Sequence, residues 1–209
     1  MSLSVLVIGI AYGVAGHDAG LAWWHLAIIG AVVLAGSSEL VFVAVLATGG
    51  LPILGAIAGL LINTRNLGYG LSIGPHLGSG PGAFARAHLI NDETAALTTG
   101  RPATQQTRRA FLVCGVAILA CWPAGAVLGA LAGSVISNPD ALGLDAAMPA
   151  LLLALALPAL RQRRTLVAAA IGVGATLAAT PYLPAGLPVL VALVGVVVTC
   201  RGVSSVRPA

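Results

Sequence analysis

Glu39 and Arg65 are ionisable residues set inside long apolar runs of this chain. A carboxylate or guanidinium at the centre of a membrane helix costs at least about 2.5 to 3.5 kcal/mol, so one that persists there has a partner or a task. Glu39 closes the segment Gly36-Ser-Ser-Glu39, and Arg65 lies in Asn63-Thr-Arg-Asn66. Ser37, Ser38, Asn63, Asn66 and Ser72 place hydrogen-bonding groups around the two charges. Two uses are open. Glu39 and Arg65 can form a buried pair that only orients helices, or they can line the route of a substrate or ion. Gly36 with its serines, and Gly68 with Gly70, permit local breaks. Helix ends at such breaks would offer N–H groups to a carboxylate and C=O groups to an ammonium, although the same glycines also serve packing.

Asp92 and Glu93 are adjacent acids after a polar stretch. They are candidates for a proton or ammonium site, yet two acids at a helix start are also favoured by the macrodipole. Cys114, Cys121 and Cys200 sit in apolar runs with no C-x-x-C spacing, which makes them packing residues and implies neither a metal nor a disulfide framework. His17, His25, His76 and His88 are scattered. The absence of H-E-x-x-H, G-x-S-x-G, Walker and dinucleotide signatures argues against an enzyme: no catalytic residue and no cofactor is expected.

The elements that must hold these residues are read from composition. Apolar residues make up 58% of the 209 and charged residues 8%, with a mean hydropathy of +1.01. A soluble domain carries about 25% charge; this chain cannot wet its surface, and lipid is its expected solvent. All ten basic residues are Arg, clustered between apolar runs, which is unlike the basic face of a nucleic-acid reader. Runs from Ala22 to Ala47, Leu51 to Ile73 and Ala110 to Ala132 approach the roughly 20 residues of a bilayer crossing. Shorter runs cover Leu3 to Ala15, Leu144 to Leu160, Leu166 to Ala179 and Leu187 to Cys200.

The sequence therefore predicts an all-α integral membrane protein. It forms a single transmembrane domain over 1–209, a bundle of about seven helices, some short or broken. Arg86, Arg101, Arg108 and Arg109, then Arg161, Arg163 and Arg164, then Arg201 and Arg207 mark alternate connections. The basic-loop rule puts these in the cytoplasm, with the N-terminus outside and the C-terminus inside. The stretch 74–107 becomes a cytoplasmic connection. Its Gly74-to-Gly82 start is too rich in Gly and Pro for continuous helix. Asn91 or Asp92 can cap a short helix ending near Thr99 and Gly100. Counting outward from the Thr48-to-Pro52 turn puts Glu39 and Arg65 at depths differing by roughly 7 Å if both helices are continuous. Gly55 with Gly59, and Gly125 with Gly129 and Gly133, form small-residue rows of the kind that bring membrane helices together.

At these residues the chain resembles the AzlC-type large subunit of branched-chain amino-acid exporters. The matching segments are Gly36-Ser-Ser-Glu39, Asn63-Thr-Arg-Asn-Leu-Gly-Tyr-Gly-Leu-Ser72, Asp92-Glu93-Thr94, and Gly143-Leu-Asp145 leading through Pro149 to Pro158 and Arg161. They span nearly the whole chain, and the Asn-x-Arg segment is the most specific. The resemblance implies a secondary exporter of leucine, isoleucine, valine or methionine in the bacterial cytoplasmic membrane. It also implies an AzlD-type small four-helix partner subunit. The family tends to have Gln where this chain has Glu39, and His where it has Asn66. In the exporter reading Arg65 binds a substrate carboxylate or Glu39 in alternation, Asn63 and Asn66 hold polar groups, and Glu39 titrates. The alternatives are a non-catalytic membrane subunit that docks a partner, or an exporter of another small metabolite.

Overall fold

The structure, a computed structural model, describes residues 2–135, 160–183 and 187–201 together with Leu153 and Leu157. The Gly143-Leu-Asp145 segment, Pro149, Pro158 and most of the run from Leu144 to Leu160 lie outside the described residues. The regular structure that is described is all helical: α1 (Ser2–Asp18), α2 (Trp23–Val32), α3 (Gly36–Ala47), α4 (Pro52–Asn63), α5 (Arg65–Leu77), α6 (Gly82–Ala87), α7 (Asp92–Thr98), α8 (Gln105–Val135), α9 (Arg163–Ala179), α10 (Leu187–Val191) and α11 (Leu193–Arg201).

Large apolar side chains cover the surface as well as filling a core that holds Tyr12, Leu26, Leu40 and Phe111. Val32, Leu60, Leu71, Val113, Val135 and Leu177 are exposed, whereas Ser38, Glu39, Asn91, Thr94 and Thr98 are buried. Such a distribution suits hydrocarbon outside and hydrogen-bonded polar groups within. Among the described residues α8 is the one helix both long and apolar enough to cross a membrane alone. Its 31 residues reach about 46 Å at 1.5 Å per residue.

The α1–α8 seam is the spine. Gly9 and Gly13 of α1 lie against Gly125, Ala126 and Ala130 of α8, and Gly129 of α8 against Ile10 and Val14, so closely that a Cβ on Gly13 or Gly129 would overlap the partner's backbone carbonyl; the two helices run parallel. The predicted Gly125-to-Gly133 row is thus a real contact, and its partner is the short first run. The row of Gly55 and Gly59 also packs, against Phe42 and the Ser38 carbonyl of α3. Further along, Gly172 of α9 and Gly195 of α11 lie against the backbone at Ala192 and Ala168.

The two long runs flanking the Thr48-to-Pro52 turn are not continuous. The first splits into α2 and α3 at residues 33–35, where Leu34 takes a left-handed φ of 47°. The second is interrupted more gently at Thr64, which keeps helical angles (φ −56°, ψ −24°). Its N–H is shared between the carbonyls of Leu60 and Leu61, and its hydroxyl also bonds to Leu61. A threonine hydroxyl that competes for a carbonyl in this way loosens the ladder locally. The interruption therefore falls before Arg65. Gly68 and Gly70, read as permitting a break or serving packing, lie inside α5 with open space around them.

A second correction concerns Gly74 and Pro75, which continue α5 to Leu77. Proline so near a helix end removes one hydrogen bond only, and arginines cover the last carbonyls: Arg108 donates to Pro75 O and Arg86 to Leu77 O. The chain turns afterwards, at Gly78 (φ 69°) and Gly80 (φ 82°). As expected, Asn91 caps α7: its side-chain oxygen accepts from Thr94 N–H at 2.9 Å, and Thr94 Oγ1 accepts from Asn91 N–H at 2.9 Å.

Candidate functional site

The start of α3 is built around Glu39. The left-handed turn at Leu34 leaves the first N–H groups of a new helix inside the bundle. Glu39, 1% exposed, folds back so that Oε1 accepts from Ala35 N–H at 3.0 Å. Its Oε2 accepts from Trp122 Nε1–H of α8 at 2.9 Å. Ser38 Oγ donates to Ala35 O at 2.8 Å. The Trp122 ring stacks on Tyr12 with centroids 5.2 Å apart. It also fills the space at Gly30 and Gly36, where a Cβ would stand 3.1 Å and 3.0 Å from ring atoms. Gly36 is thus required by the indole as much as by the break.

Arg65 is positioned by the interruption at Thr64, as the first residue of α5. Its Nη2 lies 2.7 Å from Asp92 Oδ2 and donates to Ser37 Oγ at 2.5 Å. Asp92 Oδ1 in turn accepts from the Tyr69 hydroxyl at 2.9 Å. The expected Glu39–Arg65 pair is therefore absent. The expectation assumed two unbroken helices; once both runs break, Glu39 reaches two N–H donors within its own surroundings, and Arg65 turns to the start of α7. Asn66 Nδ2 donates to Asn63 Oδ1 at 2.8 Å.

Several of these groups border a cavity of about 490 Å³, within the roughly 300 to 1,000 Å³ usual for small-molecule sites. Ser37, Arg65, Asn66, Asn91, Asp92 and Glu93 supply its polar lining, and Val5, Ile8, Leu40, Val41, Ile62 and Ile118 its apolar walls. Of the residues singled out in the sequence, the cavity gathers Ser37, Arg65, Asn66, Asp92 and Glu93. Ser38, Glu39 and Asn63 fall instead on the far side of the two breaks, in a second cavity. Ser72 lines neither.

Two buried donors in the first cavity's lining residues have no partner: Arg65 Nε and Asn91 Nδ2. A guanidinium with a spare N–H and a carboxamide whose NH₂ is unused are equipped for an anion such as a carboxylate. Asp92 and Glu93 are equipped for a cation. Burial pushes the Glu93 carboxyl above its ordinary range; its own backbone N–H and Arg65 oppose the rise, and Asp92 adds to it. Sequence reasoning missed Trp122, Tyr69 and Asn91 as site residues. A tryptophan beside a proline deep in an apolar run was the available signal for the first.

Among the described residues no cluster of three or more His, Cys, Asp or Glu side chains could hold a metal ion. No solved structure matches the chain. The branched-chain amino acid transport protein AzlC of Bacillus subtilis (strain 168) is 26% identical over 203 residues, covering 94% of this chain and 79% of that protein. The family model described as AzlC protein matches residues 1–136, which hold every residue of the cavity just described. The chain therefore belongs to the AzlC family.

Proposed function

We propose that the chain is the large subunit of a secondary exporter that carries branched-chain amino acids, leucine, isoleucine, valine and also methionine, out of the cell. The observation that carries this reading is the pairing, in one cavity, of orphaned donors at Arg65 and Asn91 with carboxylates at Asp92 and Glu93, beside apolar walls. A zwitterion presents the matching set. Its carboxylate takes Arg65 and Asn91, displacing Ser37 and Asp92. Its ammonium takes the carboxylates thus released, and its aliphatic side chain covers Ile8, Val41 and Ile118. The Arg65–Asp92 pair of the empty site is the stand-in for substrate, so binding exchanges one ion pair for two and leaves neither partly exposed charge alone. The name of the Bacillus subtilis relative agrees with this chemistry. Glu39, held by two N–H donors and not by Arg65, is free to act as the proton carrier.

The protein works as one multi-pass domain in the bacterial cytoplasmic membrane. Residues 74–107 lie on the cytoplasmic side, and an AzlD-type small subunit is the partner. The expected outward N-terminus does not fit the seam: Gly9 meets Gly125, Gly13 meets Ala130 and His17 meets Gly133, so α1 and α8 run parallel, whereas the first and fourth of seven crossings would run antiparallel. Membrane-impermeant labelling of intact cells checks the orientation: Ser79→Cys and Gln162→Cys should stay unlabelled and Thr48→Cys should react. The function is tested by loading cells with dipeptides and following which amino acids leave, with and without the small subunit. Efflux of branched-chain amino acids that depends on Arg65 is expected; unchanged efflux of all amino acids on expression would refute the reading.

A further inference from the structure

The second cavity, about 300 Å³, is mostly apolar, with Ile29, Phe42, Ala56 and Leu60 in its walls. Its polar groups are Ser38, Glu39 and Asn63. Ser38 and Glu39 are buried in its wall, tied to Ala35 and Trp122, so their polar atoms come to face the cavity only when those bonds release. The lining residues alternate between the two cavities. Along the first break Val33 borders the second cavity, Leu34 to Ser37 the first, and Ser38 and Glu39 the second again. Along the interruption of α4 and α5, Asn63 borders the second cavity, whereas Ile62, Arg65 and Asn66 border the first. The two irregular segments are therefore a shared wall. Hydrogen bonds stitch it: Trp122 on the first side to Glu39 on the second, and Asn66 on the first side to Asn63 on the second.

We propose that the second cavity is the other chamber of the same translocation path, receiving the amino acid after the wall between the two breaks opens by release of the Trp122–Glu39 and Asn66–Asn63 bonds. This rests on the transport reading above. Its ligand is a small zwitterion with an aliphatic side chain. Ser38, Glu39 and Asn63 meet the charged end while Ile29, Phe42 and Leu60 hold the apolar one. Irregular backbone inside the bundle then serves twice, as binding surface on one side and as wall on the other.

The test uses a variant with Cys114, Cys121 and Cys200 changed to Ala, into which Val41→Cys (first cavity), Ala56→Cys (second cavity) or Val113→Cys (outer surface) is introduced. Leucine efflux from cells is compared on each variant before and after reaction with a bulky, membrane-permeant maleimide. At least a tenfold loss is expected at Val41→Cys and Ala56→Cys and less than twofold at Val113→Cys, with excess leucine slowing reaction at the first two. Complete labelling of Ala56→Cys with efflux intact overturns the second chamber. Failure of Ala56→Cys to react where Val41→Cys does overturns it too, since such a chamber would not admit a ligand. If labelled Val41→Cys also keeps its efflux, the first cavity is off the path; the transport reading itself falls only if the unlabelled parent shows no leucine efflux. Leu60→Cys replaces Ala56→Cys if the latter does not accumulate, and is judged by the same outcomes.

Discussion

The α1–α8 seam and the pair of interrupted runs solve the same problem, placing helices side by side in lipid, by opposite means. At the seam, glycines let two continuous backbones touch, and close packing does the work. At the breaks, the backbone gives up its own hydrogen bonds and side chains replace them or compete for them: Glu39 takes Ala35 N–H, and the Thr64 hydroxyl takes Leu61 O. A seam of this kind is held by backbone lying against backbone. Breaks of this kind leave donors and acceptors that a substrate can borrow. Stability is concentrated in one region and chemistry in the other, so substitutions should separate the two.

The seam should be the more fragile. A leucine at Gly129 would drive its Cβ into the Ile10 carbonyl, and overpacking a close backbone contact costs typically about 1 to 3 kcal/mol or more. Gly129→Leu is expected to remove most of the folded, monodisperse protein, as read by fluorescence-detected gel filtration in detergent; near-normal recovery would show that the seam is not the spine. Arg65→Ala should do the reverse. It abolishes efflux while the protein reaches the membrane in normal amount, because Asp92 is about half exposed and tolerates the loss of its partner. Arg65→Lys keeps the charge but not the planar fork, and efflux should fall at least tenfold. Normal efflux in either variant, at matched abundance, would take Arg65 out of the site.

The sequence showed how much of this was legible and where legibility stopped. Composition and run length announced helices in lipid, and Asn91 and the Gly125-to-Gly133 row could be read from local rules because caps and close contacts depend on neighbouring residues. The breaks could not be placed by those rules. Glycine content pointed to Gly68 and Gly70, whereas the interruption fell at Thr64, whose hydroxyl competes for a carbonyl of its own helix. The partner of Arg65 was hidden for a related reason. Counting depth along straight helices selected Glu39, and only the interruptions bring Arg65 to Asp92, a residue of α7. Trp122 was illegible because its importance lies in what it touches: Tyr12, Gly30, Gly36 and Glu39 belong to three other helices.

Glu39 sits where the two regions meet, since α8 supplies both the seam and Trp122. Replacing Glu39 by Gln keeps one acceptor oxygen and turns the other into a donor facing an N–H group. Leaving one buried donor unmatched costs about 1 to 3 kcal/mol, so folded protein should decrease moderately, by less than in Gly129→Leu. Trp122→Phe removes the opposing N–H, and the double variant should lose less than the sum of the two single ones. In transport, Glu39→Gln should leave substrate exchange intact while efflux stops responding to an imposed pH gradient. An unaltered gradient response at matched abundance would remove Glu39 from coupling.

The smallest expected effect belongs to Glu93, and it comes as a pH dependence. Burial raises its carboxyl above the usual 4.5, so the empty folded protein binds a proton there more readily than the unfolded chain does. The sign for stability follows: ∂ΔG/∂pH is negative where the folded state holds more protons. This contribution is therefore fully present below the ordinary carboxylate pKa and lost as pH rises through the raised one. Substrate works in the other direction. An ammonium beside the carboxylate favours the charged form, so binding releases the proton, and affinity should strengthen as pH rises through the same window, above the ordinary carboxylate range. Glu93→Gln removes both slopes. The variant should hold its stability flat across that window while its leucine affinity becomes weaker at neutral pH and loses its rise with pH. Thermal unfolding and leucine binding, each followed from about pH 4.5 to 7.5 on purified protein, check the pair. Parallel slopes in the variant and the parent would mean that the ammonium is met by Asp92 alone.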